Sequence, residues 1–139
     1  MDTQQNIGIV RRGYEAFGRG DLDELLSLFD DNIQWTSPGP AGLLPTAGTR
    51  QGREQVAGFF KAVNETFEIQ RFEPQTFLAD GDRVIVLGDD TARVKATGKV
   101  LIERWAHAFT LKNGKIVAFE EYMDTSAVVA ELRAAHAST

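Results

Sequence analysis

At Phe67 the chain changes its period, and that change limits what it can become. Before it, apolar residues recur at helical spacing: Ile7, Val10, Tyr14 and Phe17 share one stripe, which ends at the glycines of "FGRGD". Asp21 can cap a second helix, Leu22 to Phe29, with Leu22, Leu25, Leu26 and Phe29 on one side. "NIQWTS" alternates and reads as a short strand, and a third helix from Arg53 to Asn64 buries Val56, Phe59, Phe60 and Val63. From Phe67 onward the pattern is extended. It is broken by three turn signals, Asp80-Gly81, Thr97-Gly98 and Asn113-Gly114, so it resolves into four strands in sequential hairpins. Pro74 makes the first of these an edge strand or marks a bulge. "TSAVVAELRAAHAST" predicts a short terminal helix that frays. Helices first and an antiparallel sheet afterwards give an α+β fold whose helices cover one face of the sheet.

A chain of 139 residues fits a single domain, 1–139, with no second one. Nothing approaches the ~20 consecutive apolar residues of a membrane span, and "MDTQQNIGIVRRGYEAFGRG" lacks the parts of a secretion signal, so a cytoplasmic location is expected. The net charge of -5 with scattered basic residues offers no stripe for tracking phosphates, which argues against nucleic acid as a partner. There are no cysteines, and the only histidines are His107 and His136; with no ligands at metal-site spacing, no metal is expected. No Gly-rich phosphate loop implies a nucleotide, so no cofactor is expected. The longest irregular piece runs from Thr36 to Gly52 and holds all but one of the four prolines. Loops of that length in compact domains are often functional.

The last hairpin carries the chemistry. Lys112-Asn113 can form a type I turn with Gly114 in the left-handed position, which sets Leu111 opposite Lys115. Phe109 then faces Val117, His107 faces Phe119 and Trp105 faces Glu121. This register gathers the aromatic residues on one face and leaves Ala106, Ala108, Ile116 and Ala118 on the other. A two-residue loop would instead mix Trp105 with Tyr122 and His107 with Glu120. The three-residue turn is preferred for the segregation it achieves. An aromatic sheet face closed by three helices encloses a cone, and a histidine and a carboxylate aimed into it need partners. They can satisfy one another, and the same pairing can perform acid/base chemistry.

The order of elements, with the strings "YEAFGRGDLDELLSLFDDNIQW", "GREQVAGFF", "GDRVIVLG", "ATGK" and "LKNGKIVAFEEYMD", resembles the nuclear transport factor 2-like superfamily, in particular its SnoaL-like and ketosteroid isomerase-like branch. The resemblance spans about residues 7 to 130. It implies a strongly bent antiparallel or mixed sheet around three helices, an apolar pocket at the open end, and a homodimer. It implies less about reaction, since this fold hosts enzymes, binders and interaction modules alike. Where the steroid isomerases place their catalytic aspartate before a proline, this chain has Ser37-Pro38; their oxyanion-hole tyrosine falls at Gly13, beside Tyr14, and their aspartate at or beside His107. The two carboxylates of the limonene-epoxide hydrolases land on Asp90 and Glu121, and the arginine between them lands on Gly88. The general acid/base aspartate of the SnoaL-type polyketide cyclases matches Glu121.

These readings select Glu121, His107 and Asp90 as catalytic candidates. Phe17, Trp35, Phe59, Phe60, Trp105, Phe109, Phe119 and Met123 are expected to line a pocket for an apolar small molecule, with Leu43-Leu44 capping its mouth. Three functions fit: a cofactor-free isomerase, cyclase or hydrolase; a non-catalytic ligand-binding domain in which the same pair only satisfies the interior; and a homodimer joined through the outer sheet face.

Overall fold

The computed structural model describes residues 2–137. The last residues of the predicted fraying tail lie outside that range. The helical half contains α1 (Thr3–Gly18), α2 (Leu22–Ser27) and α3 (Arg53–Thr66), with strands β1 (Phe29–Ser37) and β2 (Gly48–Gln51) between them. Strands β3 (Phe67–Asp80), β4 (Arg83–Val94), β5 (Val100–Lys112) and β6 (Lys115–Met123) follow, and α4 (Ser126–Ala137) closes the chain.

Local chemistry sets the boundaries. Asp2 caps α1 by accepting from the Gln5 N–H, while the Gln5 side chain accepts from the Asp2 N–H, a reciprocal pair that satisfies two otherwise orphaned donors. Asp21 caps α2 as its sequence position predicts, by accepting from the Glu24 N–H. That helix stops at Ser27, earlier than the expected Phe29, because Phe29 begins β1. Its ring is buried in the main core.

The sheet has six strands in the order β2-β1-β6-β5-β4-β3. Five of these match the expectation, the short strand at "NIQWTS" and the four in hairpin order; β1 lies parallel to β6, which makes the sheet mixed. The short β2 pairs with β1 inside the segment expected to be wholly irregular. Pro74 sits on the edge strand and beside a register shift, so both of its predicted consequences hold. Among the described residues no helix is long and apolar enough to cross a membrane.

Two apolar clusters position the site. The larger gathers Val10, Leu25, Phe29, Ile33, Trp35, Val56, Phe59, Phe109 and Phe119 between the helices and the concave sheet face. A smaller one joins Leu44 with Val94, Val128 and Leu132. Leu44 and, from α4, Val128 also line the cavity of the cone.

The hairpin between β5 and β6 corrects the predicted register. Asn113 (φ 51) and Gly114 (φ 78) both adopt left-handed backbone, the signature of a two-residue turn, and Lys112 faces Lys115. Leu111 pairs with Ile116, and then Thr110 pairs with Ala118, so Val117 is an extra residue. Beyond this bulge Phe109 faces Phe119, His107 faces Glu121 and Trp105 faces Met123. Segregation of the aromatic residues therefore survives, through a bulge in place of a three-residue turn. Ile116, expected outside, is buried in the core.

Candidate active site

A cavity of about 150 Å³ lies between the concave face, α1 and α3. Of the eight residues expected to line it, Phe17, Trp35, Phe59, Phe60, Phe109, Phe119 and Met123 do so. Trp105 does not. Its indole lies flat against the His107 ring, with centroids 3.9 Å apart and planes 11° apart, and against Phe72 at 5.0 Å. The reason is Gly88, its cross-strand partner. A Cβ there would come within 2.5 Å of both the indole and the Glu73 carbonyl oxygen, so glycine makes the recess in which Trp105 lies. The indole therefore covers the very position to which the hydrolase arginine aligns.

His107 is 5% exposed and bonded at both nitrogens. Nε2 lies 2.9 Å from Glu121 Oε2, and Nδ1 lies 2.7 Å from the Tyr14 hydroxyl oxygen. With Glu121 ionised and the imidazole neutral, Nε2–H donates to the carboxylate and Nδ1 accepts from the phenol. Burial, and then the negative charge of Glu121, hold the Tyr14 pKa above its ordinary value, so the phenol keeps the proton it donates. The direct cross-strand pairing of residues 107 and 121 makes this contact short; the register expected from sequence would have set them apart diagonally.

Tyr14 is the member that sequence reasoning missed as a site residue. It sits on the apolar stripe of α1, where a tyrosine reads as core, and its ring does pack against Phe72, Phe77 and Phe109. Only its hydroxyl departs from that role. The available signal was its place next to the aligned tyrosine position.

Asp90 also faces the cavity, as do Glu103 and Glu121. Its pKa is pushed up to about 7, first by burial and then by the charges of Glu121, Glu103 and Asp89; the Trp105 indole N–H, at a geometry short of a formed hydrogen bond, pulls weakly the other way. Asp89 itself is held by Arg71 on the outer face. Glu103 is the direct cross-strand partner of Asp90, and burial followed by the charge of Asp124 raises its pKa too. One wall of the cavity thus carries a hydrogen-bonded carboxylate, and another a carboxyl that retains its proton close to neutrality. Among the described residues no three His, Asp or Glu side chains converge as metal ligands.

The family model of the SnoaL-like domain matches residues 10–119. A solved NTF2-like protein from Burkholderia xenovorans LB400 is 38% identical, with a TM-score of 0.84 over 95% of this chain and 98% of that one. TerC, co-crystallised with polyporic acid, is 25% identical, with a TM-score of 0.83 over 93% and 98%. An uncharacterised Mycobacterium tuberculosis protein, Rv0034, is 27% identical over 134 residues, 88% of this chain and 91% of that protein. With the cone, its helices and most of its length matched in this way, the chain belongs to the SnoaL-like domain family of the NTF2-like fold.

Proposed function

We propose that the protein binds a small apolar organic molecule in the cone and carries out cofactor-free acid/base chemistry on it, of the isomerase, cyclase or hydrolase type. The observation that supports this reading is the chain Tyr14–His107–Glu121, in which a nine-tenths-buried imidazole holds one oxygen of a cavity-lining carboxylate. A structural ion pair needs no cavity in front of it. Here Oε2 is fixed by His107, so the carboxylate presents a defined second oxygen to a bound molecule, the geometry required of a general base. Asp90 serves as the acid: a carboxyl that titrates near neutrality can give a proton to a carbonyl or leaving oxygen while Glu121 takes one from carbon or water. His107 positions the base, and Tyr14 fixes the tautomer of His107. That the similar TerC was co-crystallised with polyporic acid is consistent with an organic ligand for a chain of this fold.

The test is proton exchange at carbon. Phenylacetone in D2O, followed by proton NMR, is expected to lose its α-protons faster with the wild-type protein than with Glu121→Gln, which should keep the fold. Equal rates for the two proteins reject Glu121 as the base.

We further propose a homodimer formed through the outer sheet face, on which Leu78, Leu87, Val100, Ile102 and Tyr122 are exposed. Ala108 lies on that face but is already buried within the single chain, so the larger residues around it make the surface. Light scattering that finds only a monomer at every concentration overturns this assembly.

A further inference from the structure

Resting on the reading of Asp90 as the acid, a second requirement follows: having given up its proton, Asp90 is an anion in a place that offers it no cation. The carboxylates that face it are Glu103 from β5 and Glu121 from β6, with Asp89 beside it on its own strand. Across β3 it meets the apolar Phe72. Tyr14 from α1 and His107 from β5 also line the cavity, but they are bonded to each other, and Arg71 is engaged with Asp89 and Glu73. From α3 and α4 the cavity receives Phe59, Phe60, Val63 and Val128, none of them charged, and among the described residues no lysine or arginine lines it. A carboxylate formed there needs a neutral donor.

Trp105 carries that donor. Trp105 pairs with Gly88 and Glu103 with Asp90, so Trp105 and Asp90 are diagonal neighbours on the inner face, a separation of ~7–8 Å that an aromatic side chain spans. The indole atoms nearest the Cβ position of Gly88 are Cη2 and Cζ2, on the same edge of the ring system as Nε1, so the N–H edge lies over β4. Nε1 is buried and has no hydrogen-bond partner. A phenylalanine would stack on His107 and Phe72 as well and would bury no donor; the indole adds an N–H that is costly to seal away unserved. We infer that Trp105 is the positioning residue of Asp90: the stack and the Gly88 recess hold its N–H beside the carboxyl, and the two close a hydrogen bond when the proton leaves.

The chain has two tryptophans, Trp35 and Trp105, so nitrogen–proton NMR shows two indole N–H signals and Trp105→Phe identifies one of them. Between pH 4 and 9 the Trp105 proton is expected to move downfield with the same midpoint as the carbon-13 signal of the Asp90 carboxyl, while that of Trp35 serves as the control. Asp90→Asn should abolish the movement. In Trp105→Phe the Asp90 midpoint is expected to rise by at least about 0.5 pH unit, an acid about threefold weaker. The direction is diagnostic, because a tryptophan that only fills space would, on replacement by a smaller ring, admit water and lower the midpoint. A Trp105 N–H that stays put while Asp90 titrates, or a midpoint unchanged or lowered in Trp105→Phe, overturns the inference. These measurements use no substrate. Failure of the reading on which they rest shows differently, as an Asp90→Asn protein that exchanges the α-protons of phenylacetone as fast as the wild type.

Discussion

Replacing Asp90 with asparagine is expected to stabilise the protein, and to do so only above about pH 5. The folded carboxyl binds its proton more tightly than the unfolded chain does, with a pKa moved from 3.8 to about 7. Stability therefore falls as pH rises between these two values and is flat above the higher one. At about 1.4 kcal/mol per pH unit the full displacement corresponds to about 4 kcal/mol. The carboxyl is partly open to water, and screening reduces this to about 2–3 kcal/mol. Asparagine has nearly the same shape and never ionises, so Asp90→Asn should match the wild type near pH 4 and exceed it by that amount at pH 8. Urea denaturation of both proteins at pH 4, 6 and 8 measures the difference. A stability difference that is the same at all three values refutes the claim that burial and the neighbouring carboxylates strain Asp90. A wild type that gains on the variant with rising pH reverses it.

Two further outcomes follow from packing. Gly88→Ala places a Cβ within 2.5 Å of the Trp105 indole and the Glu73 carbonyl oxygen, and is expected to cost about 1–3 kcal/mol in thermal or chemical denaturation, with a shift in tryptophan emission. Unchanged emission and stability would mean that the indole does not depend on that recess. Leu87→Arg, at an exposed position on the outer face, is expected to halve the mass seen by light scattering while leaving the fold intact by circular dichroism.

The helices, the hairpin order and, apart from Ile116 and Val117 beside the last turn, the inward-facing side chains of the last hairpin were legible because each rests on local periodicity. The register of the last hairpin was misread for a reason that periodicity cannot resolve. The expected and observed pairings differ by two residues along β6, an even number, so Phe119, Glu121 and Met123 stay on the inner face under either one. The partner of each side chain changes, which is why the direct His107–Glu121 contact was not foreseen. The pairing of β1 with β6 depends on residues far apart in the chain, and no local pattern announces it. Tyr14 was hidden for a different reason: its ring obeys the apolar pattern of α1, and only the hydroxyl departs from it, bonding to His107. Trp105 was assigned to the wall because an aromatic on the inner face ordinarily reaches it; Gly88 lets this one lie down behind the wall.

The supernumerary Val117 also bears on how such a chain can vary over time. Because it has no partner on β5, losing it would let the strand lie flat while every side chain beyond it kept its side of the sheet. A deletion a few positions further along has the opposite effect, rotating Tyr122 into the place of Glu121 and removing that carboxylate from the cone. The kink is thus a spot where the length of the chain can drift without scrambling the interior.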